Sequence, residues 1–214
     1  MTGRVVSVNL GLVTRAAWAG DPSGRTGIDK RPTTEPVALR TGGVAGDFVG
    51  ELSVHGGPDK AVYSYAREDA DWWSRELGRE IPPGGFGENL STEGVDLTGA
   101  VIGEQWQVGS ALLQVSQPRT PCRTFAGFWD VRDLIKRFVA RALPGAYLRV
   151  LREGEVTVGD SVTVVHRPAH GITIGETFRA LNISPELLPR LLDVPELPAH
   201  LRERAERRTA GRPG

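Results

Sequence analysis

The sequence predicts a mainly β fold with α: a β body over residues 1–168 and a small three-helix extension over residues 169–214. Three observations carry this reading. The 27 glycines and 15 prolines are spread along all 214 residues, as many turns between short strands require. A second signal recurs three times, at Val44-Ala-Gly-Asp-Phe-Val49, Val101-Ile-Gly-Glu-Gln-Trp106 and Val158-Gly-Asp-Ser-Val162. Each repeat places an apolar residue, a glycine able to take positive φ, an acid and a fresh apolar strand in that order, which reads as a recurrent barrel turn. The third is the change near His166-Arg-Pro-Ala-His170, where strand alternation gives way to helical spacing.

Taken in order, residues 4–13 alternate with Val6, Val8, Leu10 and Leu12 on one face, a half-buried strand. Residues 15–31 form a Gly/Asp/Pro/Ser-rich loop that Trp18 would pin, and residues 37–40 suit a short strand. Ala61-Val-Tyr-Ser-Tyr65 is a strand, followed by a helix over residues 67–77 with Ala70, Trp73 and Leu77 inward and Gly78 as its stop. A hairpin joins residues 105–108 to 111–116 around Gly109-Ser110. Asp130 should cap an amphipathic helix with Val131, Leu134, Ile135, Phe138 and Val139 as its stripe. Two strands follow at 145–151 and 155–165. In the extension, Ile174, Phe178 and Leu181 suit one helix, and Ser184-Pro185 opens a second carrying Leu187, Leu188, Leu191 and Leu192. A third runs over residues 197–208 with Leu201 and Ala205 inward; its alternating Arg/Glu face reads as solvated.

Composition excludes several classes. One cysteine allows no internal disulfide and fits a reducing compartment, so a cytoplasmic location is expected. No apolar run reaches the roughly 20 residues that span a bilayer. Twenty-six basic and 26 acidic residues balance, so nothing global points to nucleic acid or an acidic surface as partner. No G-x-S-x-G elbow, Walker loop, paired-cysteine zinc spacing or HExxH occurs.

The chemistry concentrates on Gln117-Pro-Arg-Thr-Pro-Cys-Arg-Thr-Phe125. Pro118 and Pro121 disfavour a helix there, so Cys122 is expected on a stiff loop leaving a strand end. Arg119 and Arg123 favour thiolate over thiol, and thiolate is both the nucleophile and the soft-metal ligand. Against this stands the plain reading of Cys122 as a small buried hydrophobe. Three further loops hold polar residues that strand patterning leaves over: Lys30-Arg31-Pro32, His55-Gly-Gly-Pro-Asp-Lys60 and Phe86-Gly-Glu-Asn89.

Together HGGPDKA, FGENL and QPRTPC, in that order, resemble the MOSC domain, the molybdenum-cofactor-sulfurase C-terminal family, over residues 3–170. The match is to short free-standing bacterial members that carry a three-helix extension. The resemblance implies a β-barrel whose cysteine, here Cys122, meets a molybdenum pyranopterin cofactor (Mo-molybdopterin), as a metal ligand or as a sulfur carrier. Under it, Cys122 and His55 are the catalytic candidates. Lys30, Arg31, Arg119 and Arg123 would supply charge for the cofactor's phosphate. Gly56, Gly57 and Gly87 would let backbone approach an anion, with Asp59 beside them, while Glu88 and Asn89 would read the pterin edge. Each has a plainer role. The Gly56-Gly57-Pro58 stretch makes a turn whatever it binds, and Glu88 and Asn89 can tie loops. His55 can be a satisfied structural histidine, Lys30 and Arg31 can solvate a loop, and Asp59 can pair with Lys60 on the surface. His166 and His170 are expected to be structural.

Two functions of different class follow from the resemblance. One is reduction of N-hydroxylated compounds, such as hydroxylaminopurines, by the molybdenum cofactor with electrons from a separate reductase, since no flavin, NAD or iron–sulfur signature occurs. The other is a sulfur carrier holding a persulfide on Cys122 and fed by a partner cysteine desulfurase; pyridoxal phosphate is not expected on this chain. A non-catalytic binding protein is the third, and the extension or a barrel edge leaves room for a homodimer.

Overall fold

The computed structural model describes residues 3–50 and 56–210. Thirteen strands and six α-helices are found among them. Seven strands close a barrel in the order β13-β9-β10-β11-β7-β8-β1, with β13 pairing back to β1. They are β1 (Gly3–Gly11), β7 (Val62–Ala66), β8 (Leu90–Glu93), β9 (Gln105–Val108), β10 (Ala111–Pro118), β11 (Ala146–Arg152) and β13 (Ser161–His166). Of these neighbours only β7 and β8 run parallel. The remaining strands decorate one end. A two-residue ladder joins β2 (Thr14–Arg15) to β3 (Arg25–Thr26), and β4 (Lys30–Thr33) adds to the free edge of β1. A small sheet joins β12 (Gly154–Val156), β5 (Val37–Arg40) and β6 (Gly43–Val44). The expected turns hold: Gly46, Gly103 and Gly159 all take positive φ.

The first strand departs from its expected phase. A bulge between Val5 and Ser7 on the β8 side breaks the alternation. Val5 and Val8 therefore reach the core, Leu10 packs beside them, and Ser7 and Asn9 are buried on the opposite face. Val6 is only half-buried and Leu12 lies in solvent.

Helix α1 (Arg67–Leu77) matches its expected range. Glu68 and Asp69 in its first turn suit the helix dipole, and Gly78 ends it at φ 63° with its N–H on the Ser74 carbonyl. The segment after Cys122 is a correction: Arg123–Trp129 is helix α2, not loop. Pro121 lies outside the helix, where its missing N–H costs nothing. The expected helix from Asp130 begins later, as α3 (Leu134–Arg141), because Asp130 and Asp133 both take left-handed φ and turn the chain between the two helices.

The extension contains α4 (Ile174–Asn182), α5 (Leu188–Leu191) and α6 (Ala199–Ala210). It is stitched to the barrel by backbone bonds from Ile102 to Ile172 and from Ile174 to Ala100. One continuous apolar cluster runs from Leu113, Leu148 and Trp106 inside the barrel to Leu181, Leu191 and Leu201. A second, aromatic cluster joins Tyr63, Tyr65, Trp73, Phe86, Phe125, Phe138 and Phe178 between the barrel and α1–α4. Trp73 is core and Trp72 lies beneath Arg141, 4.1 Å from its guanidinium.

Candidate functional site

The functional loops converge on one cavity of about 370 Å³. Its walls come from the β2–β3 hairpin, the start of β4, residues 42–50, the turn before β7, Phe86 to Asn89 and the chain from Arg119 to Thr124. That volume lies within the roughly 300–1,000 Å³ range of small-molecule sites.

Strand β10 delivers the cysteine. Its last pair, Pro118 with Ala146, aims residues 119–122 across the mouth of the barrel. Cys122 then sits extended (φ −129°, ψ 171°) just before α2, half-buried on the cavity wall against the aromatic cluster. Three residues earlier, Arg119 is only 6% exposed, so its charge is removed from water. Its guanidinium lies 4.3 Å from the Phe125 ring and 5.4 Å from Tyr63. Nη1 is buried with no hydrogen-bond partner, an unusual and costly state for a cation. Burial opposes the charge, but Tyr63, Cys122 and Tyr147 outweigh it and hold the pKa of Arg119 above the usual guanidinium range. A buried cation shared by one thiol and two phenols is a site prepared for negative charge.

Lys30 is handled differently. The alternation of β4 turns Lys30 inward and Arg31 outward, opposite Gly11 and Leu10 of β1. Lys30 meets both carboxylate oxygens of Asp47, and the two side chains are only 8% and 6% exposed. Asp47 also accepts from the Gly11 N–H at 2.6 Å and the Asn89 amide at 2.8 Å. Burial lowers the pKa of Lys30 and Asp47 opposes that only in part. The pair is neutral as a unit. The other basic side chains among the described residues of the wall are Arg25, Lys60 and Arg119.

Of the other expected residues, some line the cavity and some do not. Gly56, Gly87 and Asn89 line it, but Asn89 spends its amide on Asp47 and on the Tyr63 N–H. Glu88 lies beneath the floor, tying the loop through Gly84 N, Phe86 N and Ser91 Oγ. Burial raises its pKa despite those donors. Gly57 supplies the φ 93° turn behind Gly56. Arg123 is exposed, and Arg31 pairs with Asp29 in solvent. Asp59 binds Arg149 of β11 and also acts electrostatically on Lys60, which lines the cavity. His170 is structural, with Nδ1 accepting from Ile172 N and Nε2 donating to the Ile102 carbonyl. His55 lies outside the described residues.

Sequence reasoning missed Asp47, Tyr63, Tyr147 and Lys60. No sequence signal singled out Asp47: the three acids share one turn pattern, and only the structure shows Glu104 and Asp160 binding N–H groups of their own turns while Asp47 reaches elsewhere. The two tyrosines looked like strand core, and one face of each is.

The residues fit the group that the sequence resemblance implies. Among the described residues no cluster of three or more His, Cys, Asp or Glu could hold a metal ion; Cys122 supplies a single soft sulfur donor on the cavity wall. Gly27 and Gly50 let the cavity's wall segments touch backbone to backbone; a Cβ on Gly27 would stand 1.9 Å from the Phe48 carbonyl oxygen. The orphaned Arg119 nitrogen suits an anionic ligand.

Fold and cavity thus define a small closed β-barrel presenting one cysteine beside a buried arginine. The MOSC domain family matches residues 51–163, and the chain belongs to that family. Uncharacterized protein YflK of Bacillus subtilis is 36% identical over 170 residues, covering 79% of this chain and 76% of that protein. A protein named Reductase from Gibberella moniliformis is 29% identical over 200 residues, covering 90% of this chain but 35% of its own length. The crystal structure of YiiM from Geobacillus stearothermophilus superposes with a TM-score of 0.81 at 29% identity, covering 96% of this chain and 98% of that one. Among the described residues no helix is long and apolar enough to cross a membrane.

Proposed function

We propose that this chain binds a molybdenum pyranopterin cofactor in the cavity, with Cys122 as the protein's metal ligand, and reduces N-hydroxylated compounds. The observation that carries the reading is the placement of Cys122 and of Arg119, whose buried Nη1 has no hydrogen-bond partner, on the wall of one cavity. Bound there, the cofactor would supply two-electron redox chemistry that no side chain of this protein offers. Arg119, which acts electrostatically on Cys122, would favour its thiolate form and would take part of the cofactor's anionic load. The aromatic wall of Tyr63, Phe86 and Tyr147 excludes water from the cysteine side. Reduction of R–NHOH to R–NH₂ consumes two electrons and two protons and releases water, so a separate electron donor is required. The name Reductase on the Gibberella relative agrees with this direction.

Purified from a host that makes the cofactor, the wild type should retain near-stoichiometric molybdenum and release a pterin fluorophore on oxidation. Cys122→Ser should lose the metal and the activity. Metal far below stoichiometric, with a persulfide on Cys122 by mass spectrometry, would replace this reading with the sulfur carrier.

A further inference from the structure

Strand β11 brings a phenol to the same cavity wall as Cys122. Ala146, Leu148 and Val150 of this strand are buried in the barrel interior, so its alternation turns Tyr147 to the outer face, against the aromatic cluster. The backbone there is fixed on both sides. Tyr147 pairs with Tyr63 of β7 and with Gln117 of β10, and its carbonyl accepts from Ser116 Oγ at 3.0 Å. The rings of Tyr63 and Tyr147 lie 5.0 Å apart. Their hydroxyls are used differently. Tyr63 donates to the Pro144 carbonyl at 2.9 Å and Tyr65 to the Leu143 carbonyl at 3.1 Å, so both of those protons are spent on backbone. Tyr147 is half-buried on the cavity wall, and the charged groups that act on its hydroxyl are Arg119 and Cys122 of the site itself.

We propose that Tyr147 is the proton donor of the site, giving its phenolic proton to the oxygen that leaves when an N–O bond is cleaved. This rests on the reading of the chain as a reductase of N-hydroxylated compounds. In that reaction an electron pair, supplied by the external donor by way of the cofactor, enters the N–O bond of R–NHOH and breaks it. Cleavage without a proton would expel hydroxide against an aromatic wall. Transfer from Tyr147 lets the oxygen leave as water, and the second proton reaches the nitrogen from solvent to give R–NH₂. The phenolate left behind lies in the field of the buried Arg119 guanidinium until water returns its proton. Burial raises the pKa of Tyr147 and Arg119 opposes that rise, so the phenol is protonated at neutral pH and its anion has a counter-charge. Two neighbours on the wall are less suited. Tyr63 has committed its proton to Pro144, and Asp47 is held as an acceptor by Lys30, the Gly11 N–H and the Asn89 amide.

The test is Tyr147→Phe in the full chain, purified from a host that makes the cofactor. The change removes only the hydroxyl and keeps the ring on Tyr63. Molybdenum and pterin content should equal those of wild type. With reduced methyl viologen as electron donor and a hydroxylaminopurine as substrate, kcat should fall about hundredfold or more, the scale of general acid catalysis, while KM changes by less than about threefold. An unchanged kcat would overturn the assignment. A loss confined to KM would also overturn it and make Tyr147 a substrate-binding group, and loss of the metal would make it part of the cofactor's seat instead. A second readout needs no cofactor. In the cofactor-free chain Tyr147 should be the first of the three tyrosines to ionise, because Tyr63 and Tyr65 are only 3% and 1% exposed and donate to carbonyls. Tyr147→Phe should therefore remove the first step of phenolate absorbance in an alkaline titration; a first step that survives in the variant counts against the placement. A wild type that carries no molybdenum would overturn the reductase reading itself, and the inference with it.

Discussion

At the residue scale the site is a problem of charge. Arg119 and Lys30 are both buried cations, but one has an orphaned nitrogen over aromatic rings and the other a carboxylate partner. That difference separates a group held ready for a ligand from one already satisfied. Replacing Asp47 by Asn should expose it. The variant keeps an oxygen for the Gly11 N–H but removes the carboxylate in contact with Lys30, leaving only the more distant field of Glu88, at a cost of about 3 kcal/mol in chemical denaturation. The same change should tighten phosphate binding, because Lys30 then faces the cavity without its nearest carboxylate. Weaker binding would mean that Asp47 acts by shaping the wall. Gly27→Ala offers a steric test: its Cβ would stand 1.9 Å from the Phe48 carbonyl oxygen, so strand and wall must separate. A loss of about 1–3 kcal/mol, with weakened cofactor retention, is the expected result. Retention equal to wild type would show that this wall does not touch the ligand.

At the element scale, each functional side chain is aimed by a backbone feature with its own cause. The bulge in β1 buries Ser7 and Asn9 on the face opposite Val5 and Val8, where Asn9 holds Ser91 and the Glu88 carbonyl. The alternation of β4 separates Lys30 from Arg31. Helix α2, which the two prolines seemed to forbid, starts at the first residue after Cys122 and carries Thr124 and Phe125 into the wall and the aromatic cluster. Helix α1 contains a conflict that pH can read. Asp69 suits the helix dipole, yet burial and the neighbouring Glu68 raise its pKa to about 6. Its folded pKa exceeds the unfolded one, so between about pH 4 and 6 the native state binds more protons, and stability from this group falls as pH rises through 6. Asp69→Asn should therefore raise the melting temperature at pH 7.5 by about 2–4 °C, after discounting for partial exposure, and by less at pH 4.5. An equal shift at both values would assign the effect to helix propensity.

At the scale of the whole molecule, the extension and the barrel share one interior. Phe178 of α4 is fully buried and lies 6.4 Å from the Phe138 ring, joining the extension to the aromatic cluster that backs Cys122. Phe178→Ala should cost about 3–5 kcal/mol, and far-UV dichroism and tryptophan fluorescence should still report one coincident transition. Two separated transitions would show that residues 169–214 fold as their own unit. Much of the local code of this chain was legible without coordinates: local spacing marked β7, β9, β10, β11, α1 and the three C-terminal helices, while β8, the phase of β1 and the split of residues 155–165 into β12 and β13 were not marked. The glycine-acid turns fell at positive φ, and one cysteine between arginines stood out. These are short-range properties, written within a few residues of where they act. Tertiary structure alone decided the pairings: Asp47 with Lys30 across 17 positions, Arg149 with Asp59 across 90, and His200 with Gln117 across 83. It also decided which of the cations faced the cavity. Barrel closure brings those groups within a few ångströms, and no spacing along the chain encodes which side chain will be met on the far side.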